Sequence, residues 1–118
     1  TEQEDPADIN VPKVVTNEKN QVIYVSRLAI PGFKDHLNRP QKYKKPVCIY
    51  GFTKQDLIDY MAFGRKSEIE KSEDIEILRF FEINKTIRLV ETSKGSLAVD
   101  VPEDVDKVQT LLKMRRKL

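Results

Sequence analysis

Leu97-Ala98-Val99-Asp100-Val101-Pro102-Glu103-Asp104-Val105 reads as a short apolar strand, an abrupt acidic turn and the first turn of a final helix. Pro102 suits the first helical position, where its missing N–H is not needed. Glu103 and Asp104 place negative charge at the positive end of that helix. Asp100 falls on the lip between strand and helix. In α/β proteins ligands bind at such lips, outside the carboxyl ends of strands. A carboxylate there can hold Mg²⁺, which takes oxygen ligands and usually only one or two from the protein. Asp just before a helix is also ordinary turn chemistry, so the pattern alone leaves both roles open.

Working outward, the final helix is expected to run from Pro102 towards Arg116, with Val105, Val108, Leu111 and Leu112 as its core face. Residues 86–91 read as a β-branched strand and 92–95 as a turn. Ser67-Glu68-Ile69-Glu70 matches a capping box. The helix it opens is expected to carry Ile75, Leu78 and Phe81 into the core. Glu76 and Arg79 interrupt that apolar surface and need partners; pairing with each other is the plainer expectation, facing a ligand the sharper one. Thr53 can cap another helix through its side-chain oxygen. Leu57, Ile58, Met61 and Ala62 are its expected core face, and Gly64 its terminator. The apolar run 46–52 reads as a central strand.

Nearer the start, residues 13–16 and 22–27 are β-rich and flank the polar turn Asn17-Glu18-Lys19-Asn20, so they read as a hairpin. Residues 1–10 form an acidic surface lead-in. Residues 28–45 hold Pro31, Gly32 and Pro40 with scattered bases and no hydrophobic period, which makes them a long loop. His36 lies in it without an evident partner. Helices alternating with buried strands give a fold class of α/β, part of a layered mixed sheet with packed helices.

Composition narrows the function. The chain has 118 residues, enough for one small domain, and 34% are charged against 39% hydrophobic, as in a folded, water-facing protein. No apolar run reaches the ~20 residues of a membrane span. The net charge of +2 argues against nucleic acid as a partner, although Lys113, Arg115, Arg116 and Lys117 cluster near the end. A single cysteine, Cys48, allows no internal disulfide and suits a reducing, cytoplasmic setting. The chain has no Gly-rich loop to cradle phosphates and no Ser-His-Asp or Cys-His spacing of a nucleophilic enzyme.

Three blocks, read together, carry a family resemblance: Val22-Ile-Tyr-Val-Ser-Arg-Leu-Ala-Ile-Pro31, Cys48-Ile-Tyr-Gly-Phe52 and Leu97-Ala-Val-Asp-Val-Pro-Glu-Asp104, with 67–79 between the last two. In order and spacing they resemble the C-terminal half of 3-deoxy-manno-octulosonate cytidylyltransferases, and Ile9-Asn-Val-Pro-Lys-Val-Val15 fits the middle segment of that family. The resemblance implies a nucleotide-diphospho-sugar transferase-like fold. It implies coupling of CTP to a sugar acid, release of pyrophosphate, use of Mg²⁺, and a homodimer. It places Asp100 at a metal-binding aspartate, Tyr50 and Glu76 at sugar-binding positions, and Arg27 in a block near the sugar. The family's nucleotide-binding loop falls in an N-terminal half with no counterpart in these residues, so the chain alone is expected to be inactive.

The departures are local. Pro46 and Cys48 replace a histidine and a glycine of the family pattern, and Ile77 replaces a glutamine. Losing the histidine and the glutamine implies a different or less hydroxylated sugar acid, or poor binding. Val101 replaces a threonine that would cap the last helix, worth about 1 kcal/mol. A non-catalytic dimerisation or binding module that keeps the fold is the alternative function.

Overall fold

A computed structural model describes residues 5–92 and 101–116. The expected strand 97–99 and Asp100 lie outside the described residues. The hairpin forms where the two β-rich runs and the polar turn put it. Strand β1 (Lys13–Thr16) pairs antiparallel with β2 (Val22–Ser26), Val14 opposite Val25 and Val15 opposite Tyr24, with an irregularity between Val15 and Thr16. The turn closes on Asn17, whose side-chain oxygen accepts from the Lys19 and Gln21 N–H groups, while Asn20 takes a left-handed φ of 60°. Asparagine tolerates that conformation better than most residues.

Val14, Val22 and Val25 of the hairpin pack with Ile75 and Leu78, ringed by half-buried Tyr24, Ile69, Ile77, Phe81, Ile87 and Leu89. Each such side chain fully removed from water is worth roughly 1.5–3 kcal/mol, so the core lies between the hairpin and residues 69–81. Residues 86–91 were expected as a strand. They form an extended segment instead, touching the hairpin through two backbone bonds, Val22 N–H to the Ile87 carbonyl and Leu89 N–H to that of Asn20, and one isolated bridge. On the other side Val14 bonds to the Lys44 carbonyl, so the long loop 28–45 returns beside β1. That loop carries one 3-10 turn, His36–Asn38.

Helix α1 (Lys54–Ala62) starts at Thr53, whose hydroxyl accepts from Asp56 N–H while the Asp56 carboxylate accepts from Thr53 N–H, a full capping box. It ends at Gly64, φ 74°. Helix α2 (Glu68–Glu73) opens on the same device at Ser67 and Glu70. A 3-10 turn, Glu76–Leu78, then leads into the short α3 (Arg79–Glu82), and α4 spans Pro102–Arg116.

Further expectations are corrected. Residues 46–52 are irregular, not a strand: Pro46 has no N–H to give a ladder and Cys48 sits at φ 61°, which turns the chain out of extended geometry. The helix expected through Phe81 breaks after Glu73, because Asp74 caps α2 in a left-handed conformation, φ 52°. The expected core face of α1 is outside, with Leu57, Ile58 and Met61 exposed; on α4, Val105 and Leu112 are exposed too. Arg79 pairs with Glu70, not Glu76.

Two features had no sequence signal. Lys13 is 2% exposed, and its ammonium donates to the carbonyls of Asp8, Val11 and Arg27 at 2.6–2.7 Å. It thereby pins the lead-in to both strands. Lys85 reaches Asp59 at 2.8 Å and Asp56 at 3.4 Å, fastening α1 to the segment after α3.

Candidate functional site

The left-handed turn at Cys48 brings Tyr50 and Phe52 over the start of the 76–82 segment. The Tyr50 and Phe52 rings lie 6.0 Å apart, Phe52 stacks on Phe80 at 5.1 Å, and Phe80 meets Tyr60 of α1 at 4.7 Å. Aromatic contacts at these separations add to the gain from simple burial. They hold an otherwise irregular segment in place. The Tyr60 hydroxyl donates to the Glu76 carbonyl at 3.1 Å.

Beneath Tyr60 is a buried charge pair. Arg79 donates Nε and Nη2 to the two carboxylate oxygens of Glu70 at 2.8 and 2.7 Å, and its guanidinium carbon lies 4.2 Å from the Tyr60 ring centroid. Glu70 is 1% exposed. The Arg79 hydrogen bonds hold its carboxyl below the usual range, against the opposing effect of burial, with help from the Ser67 N–H. The forked geometry is what makes Arg suited to a buried carboxylate.

Tyr50 and Glu76, both expected at the site, are linked through the ring row, which ends at the Tyr60 hydroxyl on the Glu76 carbonyl. Burial, then the neighbouring Cys48, then the Glu76 charge push the Tyr50 hydroxyl up to about 12. The phenol therefore stays protonated at physiological pH, a neutral donor and acceptor; Glu76 is exposed.

Arg27 is held differently. At the end of β2 its Nε donates to the Glu73 carbonyl, Nη1 to Ile9 at 3.1 Å and Nη2 to Asp74 at 3.0 Å. The Glu73 carboxylate accepts in return from Arg27 N–H at 2.8 Å, Ser26 Oγ at 2.8 Å and Tyr24 OH at 3.1 Å. Burial pushes Glu73 up, but those hydrogen bonds and the Arg27 charge bring it below its ordinary value. Arg27 and Glu73 thus knot the hairpin to the chain just before Glu76, two residues past Asp74. Sequence reasoning missed Glu73, Tyr60 and the Glu70–Arg79 pair. Only Glu70 carried a local signal, its capping box; the partners of the others are distant in sequence.

His36 is exposed and rests edge-on against Phe33 at 5.5 Å. Among the described residues no group of three or more His, Cys, Asp or Glu could hold a metal ion, and no helix is long and apolar enough to cross a membrane. Asp100, the expected metal ligand, lies outside them.

No protein-family model matches the chain. Individual relatives do. A 3-deoxy-manno-octulosonate cytidylyltransferase of Christiangramia forsetii is 36% identical over 115 residues, 95% of this chain and 46% of its own length. One of Solibacter usitatus is 40% identical over 113 residues, 93% of this chain and 44% of its own. A solved structure of CMP:2-keto-3-deoxy-manno-octonic acid synthetase complexed with CTP superposes with a TM-score of 0.74 at 29% identity, over 96% of this chain and 45% of that one. The chain spans about half the length of the relatives it matches. Its α/β fold, built on a small antiparallel sheet, is that of the solved synthetase over the matched region. By sequence over nearly all of its length and by fold, the chain is homologous to about half the length of these 3-deoxy-manno-octulosonate cytidylyltransferases.

Proposed function

We propose that the chain is the C-terminal half of a nucleotidyltransferase that joins CTP to a KDO-like 3-deoxy sugar acid, releasing pyrophosphate, and that the Tyr50–Glu76 pair contacts the sugar acid. The observation that carries this is the homology to such enzymes, together with the row of rings that runs from Tyr50 through Phe52 and Phe80 to Tyr60, whose hydroxyl holds the Glu76 carbonyl. A protonated phenol at one end of the ring row and the carboxylate of the residue held at its other end would offer a donor and acceptors to sugar hydroxyls. The Glu70–Arg79–Tyr60 stack holds the backbone of Glu76 from one side. Arg27 and Glu73 fix the turn leading into it from the other. Held groups lose less freedom on binding, which is how positioning contributes to transfer chemistry.

Arg27 then acts through Glu76 rather than by touching the sugar. Pro46 and Ile77 leave the surroundings of the pair less polar than the family pattern, which favours a sugar acid with fewer hydroxyls there. Asp100 is the proposed Mg²⁺ ligand; the described residues supply no further ligand cluster. When bound, that ion would offset negative charge shared by CTP and the sugar acid.

Titration calorimetry of the purified chain with 3-deoxy-manno-octulosonate tests the sugar assignment. Binding weakened about tenfold or more by Glu76→Gln, and severalfold by Tyr50→Phe, is expected if each loses a hydrogen bond worth ~1 kcal/mol or more. No binding at millimolar sugar, or binding indifferent to both substitutions, would refute it.

A further inference from the structure

Within the row of rings at the candidate site, Phe52 is open to a ligand. It lies on Phe80 nearly parallel, at 15° and 5.1 Å, and Phe80 is buried. One face of Phe52 is therefore covered, yet the residue is 44% exposed, so its exposure belongs to the rest of the ring. Tyr50 stands 6.0 Å away and tilted by 38°, flanking Phe52 rather than stacking on it. At the far end of the row the Tyr60 hydroxyl holds the Glu76 carbonyl. A sugar acid that touches both Tyr50 and Glu76 has to pass along this row. A phenyl ring has no hydrogen-bonding group to offer it. A hydroxyl laid on the ring loses its water without gaining a partner. A C–H group has no such loss, is buried with gain, and meets the negative face of the ring with its weakly positive hydrogens.

We propose that Phe52 determines the specificity of the sugar site: its open face receives carbon 3 of the sugar acid, and so selects an acid with a methylene there over one with a hydroxyl. This deepens the proposed function and rests on it. The chemistry of the acid supplies the match. In a 2-keto-3-deoxy acid, the compound named for the solved synthetase, carbon 3 carries only hydrogens and adjoins the keto carbon. The acid thus has a short apolar stretch set among polar groups. Phe52 answers it with an exposed ring, set along the row between Tyr50 and the end that holds Glu76. Ile77, beside Glu76 in the chain, packs on the core and adds no polar atom that could hold a hydroxyl at carbon 3.

Proton NMR and titration calorimetry of the purified 118-residue chain test it, with 3-deoxy-manno-octulosonate and with the same acid hydroxylated at carbon 3. On binding, the two carbon-3 protons are expected to move upfield, as protons over a ring face do, and further than the protons of the other carbons. Phe52→Leu should remove that shift. The 3-deoxy acid should bind about tenfold or more tightly than the hydroxylated one, and Phe52→Leu should bring the two within about threefold. Tyr50→Phe should weaken both acids alike and leave the preference unchanged, which separates contact at Phe52 from a general loosening of the site. If Phe52→Leu disturbs folding, the carbon-3 shift in the unsubstituted chain decides alone. Binding that depends on Glu76 but shows no upfield shift at carbon 3, or a preference that survives in folded Phe52→Leu, would overturn the inference and leave the proposed function standing. No binding of the 3-deoxy acid at millimolar concentration would overturn both.

Discussion

Lys13 shows how a single residue can set the fold without announcing itself. In the sequence it is one basic residue at the edge of a β-rich run. In the structure it is buried, and burial pulls its ammonium below its ordinary pKa, partly offset by Asp8 and Asp5. Its three carbonyl partners come from the lead-in and the far end of β2, so no local pattern could reveal it. Lys13→Met should leave those carbonyls short of a donor and lower stability by about 1–3 kcal/mol, read from urea midpoints. An unchanged midpoint would mean that water replaces the ammonium freely. The buried carboxylates give a pH signature. Glu70 and Glu73 both have folded pKa values below their ordinary 4.5, so the unfolded chain takes up their protons first. Their stabilisation is complete above that value and is lost as pH falls below it. Urea midpoints should therefore drop as the pH falls through and below about 4.5, and a Glu70→Gln, Glu73→Gln double variant should show a shallower drop.

The elements divide by how local their causes are. The hairpin, both capping boxes and the glycine stop after α1 were legible, because each follows from residues within a turn of one another. The strand expected at 46–52 failed on its own residues: apolar content outvoted Pro46, and nothing in the pattern shows that Cys48 would adopt positive φ. The break between α2 and the 76–82 segment was hidden in the same way, since an Asp at that point does not announce the left-handed cap that Asp74 makes. That cap is open to test. Asp74→Gly should change stability by no more than about 0.5 kcal/mol, the relieved side-chain clash offsetting a surface ion pair to Lys66. Asp74→Val should cost about 1–2 kcal/mol, because a β-branched side chain is strained there. Denaturant midpoints of the two variants distinguish them, and equal values would show that the turn at residue 74 is readily rebuilt. The faces of α1 were misread for a different reason. Periodicity finds an apolar stripe but does not say which polypeptide covers it.

At the scale of the whole molecule, the family was legible because three blocks keep their order and spacing, and the relatives and the solved synthetase bear it out. At the candidate site, Tyr50, Glu76 and Arg27 were named from the resemblance alone, and the structure places Tyr50 at one end of the ring row whose other end, Tyr60, holds the Glu76 carbonyl. The supports behind them, Tyr60, Arg79 with Glu70, and Arg27 with Glu73, depend on long-range contacts that spacing does not encode. The most direct measurement is pyrophosphate release from CTP by the chain co-expressed with the unmatched portion of a family enzyme, with and without 3-deoxy-manno-octulosonate. Sugar-dependent release is expected from the pair and from neither part alone, falling about tenfold or more with Glu76→Gln while the complex still assembles. An assembled complex that releases no pyrophosphate in response to the sugar, or one in which Glu76→Gln changes nothing, would contradict the account.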